Sequence, residues 1–169
     1  MSQTVLGLGT RAAVGLALAS AVAVGTPWPG LAHPTDENGE AAARDPDFAA
    51  GKQALERKDW GEAIACFTRA ALRDPDNADV QNYLGFSYRN LGQLDPAFRH
   101  YRRALELNPQ HRGAHEYAGE AYLMKGDLAR AEEHLAALQK ICLLPCEELL
   151  DLEREIAAYR QRTGAGRAR

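Results

Sequence analysis

The sequence predicts an all-α fold, an α-α superhelix of three helix-turn-helix repeats closed by a C-terminal capping helix. Three observations predict it. Between residues 44 and 162 the apolar residues recur at helical spacing, and no stretch alternates with period two for long enough to be a strand. Ala63, Phe67, Ala70 and Pro75 return at a fixed interval as Ala97, Tyr101, Ala104 and Pro109, and at the same interval again as Ala131, Leu135 and Leu138. Upstream of each set lies a second one: Ala50-Gly51 and Ala54, Leu84-Gly85 and Tyr88, Ala118-Gly119 and Tyr122.

Each element has its own local signals. Asp59 and Glu62 form a capping-box pattern, in which a side chain and a backbone N–H satisfy each other at a helix start. Asp45-Pro46 and Asp95-Pro96 read as an N-cap followed by proline at the first helical position, where its missing N–H costs nothing. Gly92 and Gly126 close the first helices of the second and third hairpins, and Lys58 takes that place in the first. Gly51, Gly85 and Gly119 lie inside first helices, where glycine costs about 1 kcal/mol relative to alanine. Their reward is a close approach by the second helix. Ala63, Ala97 and Ala131 are expected to meet them, with Phe67, Tyr101 and Leu135 filling the space beside. In the last helix Leu149, Leu152, Ile156 and Tyr159 share one face, with charged residues largely opposite.

The ends read differently. Residues 12–25, AAVGLALASAVAVG, are apolar and too short for the roughly 20 residues of a membrane span. With Gly30-Leu31-Ala32 as a small-residue cleavage site, residues 1–32 predict a signal peptide. The expected location is therefore periplasmic or secreted, with no stable membrane anchor after cleavage. Residues 33–43 predict a disordered leader, and 163–169 a flexible tail. The chain has 169 residues and a net charge of -3, a balance that argues against nucleic acid as a partner.

The repeat interval and the run LGFSYRNLGQLDPAFRHYRRALELNP resemble the tetratricopeptide repeat (TPR) family. The resemblance spans 44–77, 78–111 and 112–145 as three repeats, with 146–162 as the capping helix. The third copy departs from it, with Leu138 for alanine and Leu143 for proline. The resemblance implies a non-enzymatic scaffold or adaptor whose first helices line a concave groove for a protein or peptide. Assisting the assembly of other exported proteins is one use it implies. The groove residues it implies are Phe48, Lys52, Asp79, Asn82, Phe86, Arg89, Asn90, Glu116, Glu120 and Met124, with Leu55 and Leu123 as further apolar positions. Phe86 stands out, because the core pattern demands no aromatic there.

TPR domains of chaperone cofactors hold C-terminal carboxylates with a clamp of Lys, Asn and Arg. The comparable positions here are Phe48, Lys52, Tyr83, Gly113 and Tyr117, of which only Lys52 matches. The ligand implied is instead an apolar or weakly basic segment. An exposed solenoid end also admits a homodimer.

Cys142 and Cys146 are the distinctive local feature. An oxidising compartment favours a disulfide between them. Free thiols, or a thiol- or metal-handling accessory function, are the alternatives. The segment KICLLPCEELLDL also resembles a cysteine-bearing stretch of small exported bacterial TPR proteins. Cys66 reads as a buried free thiol. His111 and His115 stand four apart without an evident third ligand, so no metal is expected, and no cofactor. Nucleophile, phosphate-loop and zinc-protease motifs do not occur, so no catalytic residue is assigned.

Overall fold

The computed structural model describes residues 45–164; the expected signal peptide, leader and last five residues lie outside them. Among the described residues there are seven helices and no strand. They are α1 (Pro46–Glu56), α2 (Trp60–Arg73), α3 (Ala78–Asn90), α4 (Leu94–Leu107), α5 (Arg112–Lys125), α6 (Leu128–Ile141) and α7 (Glu147–Thr163). Each helix packs on the next. The first helices of hairpins two and three also touch, and α7 packs on both α5 and α6. The all-α repeat architecture is thus observed. No helix among the described residues is long and apolar enough to cross a membrane.

The helix starts mostly follow the sequence signals. Asp45 caps α1 by accepting from the backbone N–H of Asp47 (2.8 Å) and of Phe48 (3.1 Å), with Pro46 at N1. Arg73 at the end of α2 grips the same carboxylate and holds it down at a pKa of about 2. That pair ties the first hairpin's open end. Asp59 caps α2 through the Glu62 N–H, but the Glu62 carboxylate accepts from the Cys66 thiol (3.3 Å) rather than closing a capping box.

At α4 the sequence expectation is corrected. The helix begins at Leu94 with Gln93 as N-cap and no side-chain cap hydrogen bond. Gln93 stands one repeat after Asp59 and one repeat before Asp127, the side-chain caps of α2 and α6. The repeat register therefore decides the start. Asp95 falls in the first turn, where its charge still favours the helix dipole.

The hairpin contacts correct a second expectation. A Cβ placed on Gly51 would lie 2.7 Å from the Phe67 ring, and one on Gly85 2.5 Å from the Tyr101 ring. The nearest neighbour of each glycine is thus the large residue, where the sequence predicts the alanine. At Gly119 the intruder is Leu152 of α7, at 2.7 Å, and not Leu135 of α6. Leu152 is fully buried, within a cluster that includes Leu123, Leu138, Leu149 and Ile156. The capping helix thus supplies the bulk that the third hairpin lacks.

Turn geometry yields a direct test. Gly92 and Gly126 adopt positive φ, and so does Lys58, at 58°. A β-carbon there costs about 1 kcal/mol that glycine avoids. Lys58→Gly is expected to raise stability by about 0.5–1 kcal/mol, read from the shift of the urea midpoint.

Candidate functional site

The A helices α1, α3 and α5, followed by α7, present one face, which holds the groove residues inferred from the sequence. A cavity of about 330 Å3 opens on it, lined by Arg89 of α3, by Glu120, Leu123 and Met124 of α5, and by Glu155 and Arg162 of α7. The contribution of α7 goes beyond the sequence expectation. Helix α7 runs alongside α5 in the same direction: Arg112 lies 3.6 Å from Glu148 near both N-termini, and Met124 shares the cavity with Arg162 near both C-termini. A signal for it is present in the sequence, because Glu148, Asp151 and Glu155 repeat at helical spacing beside the apolar face of α7.

The structure divides the expected groove residues into three sets. Arg89, Glu120 and Met124 come together at the cavity, and Arg89 is ion-paired to Glu120. Met124 is 56% exposed. Phe86 lies one turn back, its ring 4.8 Å from that of Tyr117 and 5.9 Å from that of Trp60, with the Arg89 guanidinium over it at 5.2 Å. Phe86 is therefore half-buried, a wall more than a free anchor. Asn90 donates to its carbonyl (2.9 Å).

The second set lies toward α1. Lys52 donates to the Tyr83 hydroxyl (2.8 Å) and sits over its ring. Phe48 packs edge-on against Phe67 and Tyr83, and Leu55 joins the same cluster. Leu123 is likewise buried, against the α7 leucines. These apolar side chains serve the core as much as the groove.

The third set is polar, with Asn82 and Glu116 deep and Asp79 nearer the surface. Asp79 accepts from His111 Nε2 (3.0 Å), and that contact lowers the pKa of its carboxyl. The tautomer follows from geometry: His111 Nδ1 accepts the Ala114 N–H as the cap of α5, so Nε2 carries the proton. Asn82 and Glu116 occupy equivalent places in successive repeats and are 4% and 7% exposed. Burial, with Glu120, Asp151 and Glu148 close by, pushes the Glu116 carboxyl up to about 8.

Behind α5 the histidines form a separate unit. His115 Nε2 donates to the Pro109 carbonyl (3.1 Å), and its Nδ1 faces His134 Nδ1 at 3.0 Å. One ring must be the acceptor, so the pair holds fewer protons than two free histidines. Burial, then the His115 charge, pushes His134 down to about 4. The unfolded chain binds that proton near pH 6.5, so stability is full above 6.5 and falls as pH drops toward 4. A loss of order 1–3 kcal/mol is expected across this window, seen as a falling urea midpoint, and His134→Gln should flatten the slope. Among the described residues no group of three or more His, Cys, Asp or Glu is arranged to hold a metal ion.

Cys66 is buried and free; burial raises its thiol pKa first, with the Glu62 hydrogen bond adding to it. The structure sets Cys142 and Cys146 with Cα atoms 5.9 Å apart and Sγ atoms at 2.08 Å, across the α6–α7 connection. Leu143 and Leu144, between them, are exposed.

Residues 78–111 match the family model described as "Tetratricopeptide repeat". A TPR repeat-containing thioredoxin, TTL4, of Arabidopsis thaliana is 23% identical over 124 residues. The match covers 73% of this chain, and the chain spans only 17% of the length of that relative. Among solved structures, the Yersinia enterocolitica type III secretion translocator chaperone SycD matches with a TM-score of 0.62 at 20% identity, over 70% of this chain and 83% of that one. PcrH, in complex with the chaperone-binding region of PopD, gives 0.61 at 20% identity, over 69% and 90%. The first TPR of Spaghetti (RPAP3), bound to the HSP90 peptide SRMEEVD, gives 0.60 at 19% identity, over 68% and 87%. At such identities the likeness is one of fold. Residues 78–111 thus carry a tetratricopeptide repeat, and the described chain has the fold of a tetratricopeptide-repeat solenoid.

Proposed function

We propose that the A-helix face is a non-enzymatic docking groove for a peptide segment, and that the chain is an adaptor. The cavity carries this reading: it sets an exposed methionine beside an Arg–Glu pair in a hollow walled by three helices. Apolar surface beside oriented charge is what a segment-binding groove needs. The solved structures bound to an HSP90 peptide and to the binding region of PopD support the reading by analogy of fold. The test is a phage-displayed dodecamer library panned on the full chain. A selected peptide should lose at least tenfold in affinity with Met124→Glu and be unchanged with Leu72→Glu, an exposed position on α2. Equal effects of the two substitutions would refute the groove.

The reading extends to location and to the last turn. An exported adaptor assisting the assembly of other exported proteins fits the N-terminal sequence, and N-terminal sequencing of the mature protein should then begin at His33. A Cys142–Cys146 disulfide would staple the third hairpin to its cap, chiefly by fixing the turn, since so short a loop gains little entropy. Denatured without reductant, the protein should show one titratable thiol, Cys66; a labile pair reacting in the native state would favour the thiol-handling function instead.

A further inference from the structure

One register position of the repeats runs along the groove floor as Phe48, Asn82 and Glu116, one in each hairpin. Its chemistry is graded. Phe48 packs against rings. Asn82 is 4% exposed, and its Oδ1 meets no donor among the described residues. Glu116 is 7% exposed, with no hydrogen bond or ion pair among the described residues. Asn82 Oδ1 is thus a buried acceptor without a donor, which a native fold rarely leaves so, and Glu116 in the next repeat makes no hydrogen bond within the described chain.

The surroundings of Glu116 state what is missing. Glu120 on α5 and Asp151 and Glu148 on α7 all repel its charge, and Arg89 on α3 alone opposes them. Arg89 is already paired to Glu120. Arg112 serves Glu148, and Arg154 serves Asp151. His111, at the start of α5, is held by Asp79. Arg89, Arg112, Arg154 and His111 are thus engaged with other acids, and Glu116, the most buried acid at this end, has no ion pair among the described residues.

We propose that the α3–α5–α7 end of the groove reads a cationic side chain: a lysine or arginine of the bound segment enters beside Glu116, while a donor side chain of the same segment reaches Asn82. The inference rests on the groove reading and gives the ligand its chemistry. Neighbouring helices lie about 8–10 Å apart, and an extended chain rises about 3.3 Å per residue. The donor and the basic residue therefore stand about three positions apart. At neutral pH Glu116 keeps its proton, so an arriving cation releases that proton to solvent. Affinity for an arginine-bearing segment thus rises with pH, by up to about tenfold per unit below pH 8, and levels off above.

The test uses peptides selected by display on the full chain, resynthesised with the basic residue intact or replaced by glutamine. The basic form should bind wild type at least tenfold more tightly at pH 8 and lose that advantage at pH 6. Glu116→Gln, which keeps shape and removes charge, should abolish both the preference and the pH dependence. Asp151→Asn, farther out in the seam, should reduce the preference about threefold and serves if Glu116→Gln fails to fold. Selected peptides without a basic position, or a preference that survives Glu116→Gln, would overturn the cation reader while leaving the groove standing. A library that enriches no peptide at all would overturn both.

Discussion

Leu152→Ala should lower the stability of the chain by about 2–5 kcal/mol, the range for emptying a buried leucine site. Leu152 is 0% exposed, and its methyls lie where a Gly119 side chain would be. The third hairpin has no large residue of its own in that space, since Leu135 is turned to the margin of the cluster. Removing the methyls leaves a cavity that α5, α6 and α7 all border. Solenoid stability is a sum over neighbours, so damage at one end frays that end first. Urea denaturation should show the loss. Hydrogen exchange should show α6 and α7 opening ahead of α3 and α4. A change below about 1 kcal/mol would mean that α7 does not close the solenoid.

Gly85→Ala should cost about 1–3 kcal/mol in the native protein, the usual penalty for overpacking. Ordinarily alanine inside a helix gains about 1 kcal/mol over glycine. Here the new methyl lands 2.5 Å from the ring of Tyr101, which is 1% exposed and has nowhere to turn. The sign should therefore invert when the ring is removed. With Tyr101→Ala as background, Gly85→Ala should stabilise, by up to about 1 kcal/mol. The two effects belong to one double-mutant cycle, and their difference isolates the glycine–ring contact. Additive behaviour would show that the hairpin is not held together there.

These two sites also show what the sequence can and cannot reveal. The repeat is legible because Gly51 and Gly85 recur at the same interval as Phe67 and Tyr101, although the sequence sets the glycines against Ala63 and Ala97 and the structure brings the rings closest. The cap is legible because Leu149, Leu152 and Ile156 share a helix face, and all three are buried. Which large residue meets which glycine is not legible. That depends on how far each helix turns about its axis, and at the third repeat a different helix wins. The start of α4 escapes for a related reason: Asp95-Pro96 is a strong local signal, yet the register set by the neighbouring hairpins places the cap at Gln93.

The groove is harder still. Spacing puts Arg89, Glu120 and Met124 on one face, and they meet at one cavity. Spacing cannot tell a lining residue from a core one: Leu55 packs inward, whereas Leu123 both lines the cavity and packs against the α7 leucines. Nor can it show that Phe86 is held between Trp60 and Tyr117. The depth of Glu116 is equally hidden, because its neighbours Asp151 and Glu148 come from α7.

The proposed ligand lies across the face built by α1, α3, α5 and α7. Amide chemical-shift mapping with a display-selected peptide tests it most directly. Perturbations should concentrate at Asn82, Phe86, Glu116, Glu120 and Met124 and extend to Glu155 on α7. Perturbations confined to α2, α4 and α6, or to the Leu143–Leu144 loop, would contradict it.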